Sequence, residues 1–398
     1  MKSLAKRITK ITPSATLSIS AKAKELKKKG IDIIDFGVGE PDFDTPSFIK
    51  NAAICAIKEG FTKYTPPSGI RELKEAVVEK FKKDNNLDYT VEQIAISCGA
   101  KHALYNCILA LCNPKDEVIV FSPYWVSYLE MIKLVDAIPV IVKTKEADNF
   151  LPNIKTIESV ITKRTKAIII NSPSNPTGCV FSEKILKEIA EIAIKYDLWI
   201  ISDEVYEKII FDSANHISIA SLDKKIKSQT VVVNAVSKTY SMTGWRIGYI
   251  AGPSELIKAI DNIQSHSTSN PTSISQKAAL AALNGPGEEI YKMRKEFQIR
   301  RDFLVSQLQD FKDVSFLKPQ GAFYLFLNIS KFFGKKAKNK ILKNSLDVTE
   351  YLLEEAKVAV VPGSAFGDEN YIRISFATSL EKIKKGVENI KTLLSTIF

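Results

Sequence analysis

The sequence predicts an α/β protein, with a large domain on a mainly parallel seven-stranded sheet and a smaller α+β domain after it. Three observations predict this. Helix-like and strand-like stretches alternate between residues 46 and 285. The strand-like stretches, such as Lys166–Asn171 and Thr230–Val236, are continuous apolar runs without polar alternation, the pattern of strands covered on both faces. After Gly287 the texture changes to one long helix, short strands and a final helix.

Each element has its own signal. Residues 1–45 read as an arm that returns to the smaller domain, with a helix Ser18–Lys29 stopped by Gly30 and a short strand Ile31–Phe36. Gly37-Val38-Gly39-Glu40-Pro41 breaks both periodicities, as a turn or as a close backbone approach to a ligand. The large domain, 46–285, has helices at Pro46–Glu59, Ile70–Asp84, Lys101–Leu111, Trp125–Val135, Ser182–Tyr196 and Pro253–Asn262. Its strands are Ile94–Cys98, Glu117–Phe121, Ile138–Lys143, Lys166–Asn171, Leu198–Ser202, Thr230–Val236 and Arg246–Ala251. The small domain, 286–398, has a helix Glu288–Phe311, strands Ala322–Leu327, Val358–Val361 and Tyr371–Ala377, and a closing helix from Leu380.

Composition excludes several classes. The 398 residues are 45% hydrophobic, ample for a large core. The net charge of +11 comes from lysines interleaved with glutamates on helix faces, which argues against a nucleic-acid partner. The unbalanced run Lys331–Lys343 reads as an exposed loop or helix. Five cysteines without CxxC spacing read as reduced thiols, and three scattered histidines argue against a metal site. No run of about 18 apolar residues occurs and Met1–Lys10 has no secretory pattern, so no membrane span and a cytoplasmic protein are expected.

In parallel sheets ligands sit at the carboxyl ends of strands, and the unusual residues fall there. Lys238 follows a buried run, and Arg246 follows it between Gly-Trp and Ile-Gly-Tyr. A lysine partly removed from water becomes a nucleophile for carbonyls, and an arginine fork fits a phosphate. Gly99-Ala100-Lys101 opens a helix, where free N–H groups favour an anion; Ser237 and Tyr64 are candidate hydroxyl donors. Asp203 ends a strand as a helix cap, a metal ligand or an anion for a ring nitrogen, with Tyr206 sharing its site. Asn171–Gly178 is a rigid turn able to fix the Asn175 amide against a ligand hydroxyl. Pyridoxal 5'-phosphate needs this set of an amine, a ring-nitrogen carboxylate and a phosphate cradle.

These motifs, with Gly39-Glu40-Pro41-Asp42, Tyr64-Thr65-Pro66-Pro67, Ser122-Pro123-Tyr124-Trp125, Asn175-Pro176-Thr177-Gly178, Gly321-Ala322-Phe323-Tyr324 and Arg373-Ile374-Ser375, cover nearly the whole chain. The chain resembles the fold-type I pyridoxal-phosphate enzymes, and within them the class I aminotransferases. It looks most like bacterial aspartate aminotransferases that read the distal carboxylate with a lysine. The resemblance implies that Lys238 holds the cofactor as an imine and shuttles the substrate α-proton, while Asp203 pairs with the ring nitrogen. It implies that Asn175 and Tyr206 bind the ring hydroxyl and that Trp125 stacks on the ring. It gives Gly99, Ala100, Lys101, Ser237 and Arg246 to the phosphate, with Tyr64 reaching in from the second subunit of a homodimer, where Ser269-Asn270 also contributes. Arg373 would clamp the substrate α-carboxylate beside Gly39, and Lys101, with Thr16, would meet the distal carboxylate. Ala100 and Thr12 depart from the family pattern, and Thr12 weighs against prephenate as a substrate. Other readings are a broader transaminase, a lyase or synthase on the same cofactor, and the sensing part of a transcription regulator.

Overall fold

The computed structural model describes residues 4–13, 15–338 and 340–397, without the side chains of Ala15, Thr16, Leu17 and Ser20. Fourteen strands are described: β1 (Ile34–Asp35), β2 (Ile94–Ser97), β3 (Glu117–Ser122), β4 (Ile138–Lys143), β5 (Thr165–Asn171), β6 (Trp199–Asp203), β7 (Thr230–Ala235), β8 (Gly248–Ala251), β9 (Tyr324–Asn328), β10 (Lys336–Ala337), β11 (Lys340–Ile341), β12 (Val358–Ala359), β13 (Val361–Pro362) and β14 (Tyr371–Ser375). The large sheet has seven strands in the order β2-β8-β7-β6-β5-β3-β4. All neighbours pair in parallel except β8, which runs antiparallel to β2 and β7.

The apolar runs follow from burial on both faces. Successive side chains of a strand point to opposite sides. Ile169, Ile201, Val231 and Val233 pack on one face against Ala103, Leu104, Ile108, Met131 and Ile257. Ile168, Ile170 and Ile200 face the other way, onto Ile185, Leu186 and Ile189 of the helix Glu183–Lys195. Farther along that face, Ile94, Ile96 and Val232 meet Leu73, Val77, Phe81 and Ala278. Each of the larger side chains here, the isoleucines, valines, leucines, Met131 and Phe81, contributes about 1.5–3 kcal/mol by leaving water.

The second sheet is antiparallel, β13-β14-β9, with the buried Arg373 on its middle strand. Its core joins the long helix Glu288–Leu308 and the last helix Leu380–Leu394. The N-terminal segment reaches this region through β1, which pairs in parallel with β12.

Three expectations need correction. Lys238 does not end a strand: β7 stops at Ala235, and Lys238 sits on the single helical turn Val236–Thr239. Arg246 is not in a strand either. It follows the 3-10 turn Thr243–Trp245 in the left-handed region, φ 55°, and its Nη1 donates to Thr243 O at 2.8 Å. Lys331–Lys343 contains an antiparallel hairpin, β10–β11, rather than a loop or a helix. The helix Ser273–Asn284 carries no strong periodic signal and went unpredicted.

Candidate active site

A cavity of about 450 Å³ opens where the carboxyl ends of β5, β6 and β7 meet the N-terminal loop and β14. Gly39, Ala100, Lys101, Trp125, Asn175, Asp203, Tyr206, Ser237, Lys238, Arg246 and Arg373 all line it.

Lys238 reaches into the cavity and donates from Nζ to Gly39 O at 2.6 Å. Burial pushes its amine down to about 8; Arg373 and Arg246 push the same way, while Glu40 and Asp203 oppose them. Asp203, only 3% exposed, ends β6. Burial raises its carboxyl to about 6, and the hydroxyl of Tyr128, donating to Oδ2 at 2.6 Å, holds the rise back. The Asn171 amide donates to Asp203 O at 3.0 Å, and the Asn171 carbonyl accepts from Asn175 N at 2.8 Å, tying the ends of β5 and β6 together.

At another side lies a cationic cradle. Gly99 caps the helix Ala100–Leu111 at φ 88°, and a Cβ there would stand 2.4 Å from Arg246 Nη2. Arg246 Nη2 also donates to Cys98 O at 3.2 Å. A Cβ on Gly248 would stand 2.3 Å from Ala100 N, so the chain needs glycine at both positions for Arg246 to lie against this helix start. Among the described residues Arg246 has no carboxylate partner, which leaves its guanidinium available to an anion.

Arg373 occupies the small-sheet side. It is 2% exposed; Nη1 donates to Asn175 Oδ1 at 3.0 Å and Nη2 to Gly37 O at 2.7 Å. Tyr324 packs under its guanidinium, 4.4 Å from the ring centroid, and shares a 2.8 Å hydrogen bond with the Tyr206 hydroxyl. The Nε of Arg373 is buried without a partner. Lys101 is held more loosely: its amine lies 5.0 Å from the centroid of the Trp125 ring, and no carboxylate among the described residues pairs with it.

Gly99 stands beside the cavity without lining it, and Tyr64 is not brought into it. Tyr64 is 90% exposed on the surface of the chain, and the side chain of Thr16 lies outside the described residues. Sequence reasoning missed Tyr128, Tyr324 and Asn171. Tyr128 had a signal, since it stands three positions after Trp125 at the start of the helix Ser127–Leu134.

The family model for aminotransferase class I and II matches residues 31–390. The chain belongs to the class I and II aminotransferases. It is 48% identical over 388 residues to an aspartate aminotransferase of Bacillus subtilis, covering 98% of each chain. It is 51% identical over 387 residues to a probable aspartate/prephenate aminotransferase of Rickettsia bellii, covering 97% of each. The aspartate aminotransferase structure from Rhizobium meliloti superposes with a TM-score of 0.96 at 41% identity, over all of both chains. The Thermus thermophilus enzyme with maleate superposes at 0.92 and 39% identity, over 99% of this chain and 100% of that one. This aminotransferase is therefore similar in sequence and in fold to the same group of enzymes.

Proposed function

We propose that the cavity holds pyridoxal 5'-phosphate and that the protein passes the amino group of aspartate to 2-oxoglutarate, giving oxaloacetate and glutamate. One observation carries the reading. A buried amine of lowered pKa and a buried carboxylate share one cavity with an arginine that only a glycine leaves room for. That donor set fits the aldehyde, the ring nitrogen and the phosphate of this cofactor. When bound, the cofactor supplies the electron sink that lets the substrate Cα–H bond break.

The chain's own residues do the rest. Lys238 carries the cofactor through its amine and then moves the proton at the substrate Cα. Asp203, held by Tyr128, presents a fixed carboxylate to the ring nitrogen. Asn175 and Tyr206 face the ring hydroxyl, and Trp125 covers the ring. Ser237, Gly99, Ala100 and Arg246 bind the phosphate. Arg373 takes the α-carboxylate as a fork beside Gly39, and Lys101 takes the distal carboxylate, with Thr16. The exposed Tyr64 is assigned to the neighbouring site of a homodimer. We place the protein in the cytoplasm and its domain boundaries near residues 45 and 285.

A second reading adds prephenate, because relatives near 50% identity carry that substrate in their names. Against it, Thr12 is turned to Glu130, its hydroxyl at 3.0 Å and its N–H at 3.1 Å, and does not line the cavity. A donor panel with 2-oxoglutarate as acceptor tests both. The kcat/KM for aspartate is expected to exceed those for alanine and phenylalanine at least about tenfold, a difference of about 1.4 kcal/mol. Equal values overturn the assignment, and reaction of prephenate in the same panel adds the second.

A further inference from the structure

The turn that follows β6 has two faces. Asp203 and Tyr206 line the cavity. Glu204 and Glu207 do not; they point into a buried polar cluster behind the turn, and each is no more than 4% exposed. Glu207 accepts from Lys80 at one oxygen and from Asn85 Nδ2, at 2.8 Å, at the other. The Lys80 amine also donates to Asn85 Oδ1 at 2.7 Å. Glu204 Oε1 accepts from Ser202 Oγ at 2.8 Å and Ser218 Oγ at 2.7 Å, and its Oε2 meets His216 Nε2 at 3.1 Å. All four carboxylate oxygens are therefore taken. Glu204, Glu207 and His216 lie close enough together to ligate an ion. The Lys80 ammonium already neutralises Glu207, so the cluster is an ion-pair network rather than a metal site.

The network ties the turn to parts of the chain that do not otherwise belong to the cavity. Lys80 and Asn85 come from the end of the helix Arg71–Asn85. The backbone continues the clamp: Glu204 N donates to Val233 O at 2.9 Å and Glu207 N to Glu204 O at 3.0 Å. Moving either glutamate displaces the residue before it, and those residues are Asp203 and Tyr206. A buried charge with one partner removed is costly, so the paired state holds the turn in a single position.

We propose that Glu204 and Glu207, locked by His216 and Lys80, are positioning residues that fix Asp203 and Tyr206 against the cofactor. The inference rests on the assignment of Asp203 and Tyr206 to pyridoxal phosphate. Groups that hold metal ligands in place typically change metal affinity or activity about 10- to 100-fold when removed, and an effect of that order is expected for groups that hold the residues around a cofactor.

The test uses two holoenzyme variants: Lys80→Met/Glu207→Met and Glu204→Gln. The double variant replaces a buried ion pair by apolar side chains of similar length, a change that folded proteins commonly tolerate. Three quantities are read: the unfolding temperature, the dissociation constant of pyridoxal phosphate, and the pH midpoint of the bound cofactor's absorbance. Glu204→Gln, and the double variant where it folds, are expected to release the cofactor about tenfold more readily and to move the absorbance midpoint. Parent-like affinity and midpoint in Glu204→Gln, with any loss confined to unfolding temperature, overturn the inference. A parent protein that takes up no pyridoxal phosphate overturns the functional reading itself, and the unmodified chain alone shows that result.

Discussion

Two cations line the same cavity and are held in opposite ways. Arg373 is buried on the middle strand of a sheet, bonded to Asn175 and Gly37, with Tyr324 beneath it. Lys101 stands exposed at the start of a helix, with a ring face as its neighbour. The same contrast divides the site. Asp203, Tyr206 and Arg373 are each at most 4% exposed and fixed by neighbours from several elements, while Lys101 and Arg246 are exposed. Asp203, Tyr206 and Arg373 are thus prearranged, and Arg246, though exposed, is held by Thr243 O and Cys98 O, whereas Lys101, to which we assign the choice of donor, has only a ring face beside it. Preorganised groups stabilise the reacting state without reordering at the moment of reaction.

The largest break in this comparison is at the prearranged end. Lys238→Ala is expected to cut transamination of every donor at least about 10⁴-fold, as loss of a group that is both nucleophile and proton carrier does. Steady-state rates with aspartate and alanine check it, and borohydride reduction with peptide mapping should find the cofactor on Lys238 alone. Arg373→Lys replaces a planar fork by a point charge and should lower kcat/KM about 100-fold for all donors alike. Tyr128→Phe removes one hydrogen bond to the Asp203 carboxylate and should weaken cofactor binding about tenfold, measured by dialysis. The smallest effect is in pH. Burial lowers the Lys238 amine to about 8, below the ordinary 10.5. The neutral, reactive amine therefore grows as pH rises through about 8, and the rate of cofactor uptake by the apoprotein should show its midpoint there. A midpoint near 10.5 would mean that the amine is not buried.

Most of the fold was legible because burial on two faces leaves its mark locally. The runs Thr230–Val236 and Lys166–Asn171 are strands within one residue of their expected ends. Local signals also found most of the cavity, since the sheet brings strand ends together. What was not legible depends on pairing across the chain. Nothing near Lys80 announces that it neutralises Glu207, and Tyr128 gains its meaning only where Asp203 arrives beside it. Arg246 was misread because Ile247-Gly248-Tyr249-Ile250-Ala251 extends its apolar neighbourhood, whereas its side chain bonds back to Thr243 and closes a turn. Tyr64 stays apart from this cavity, exposed on the surface of the chain.

The contrast between the two cations is tested most directly by Lys101→Ala, assayed with aspartate and alanine side by side. Loss of a charge that meets the distal carboxylate should reduce kcat/KM for aspartate about 10- to 100-fold and leave alanine within about threefold. Equal losses with both donors would contradict the account, because Lys101 would then serve the phosphate or the fold rather than the choice of substrate.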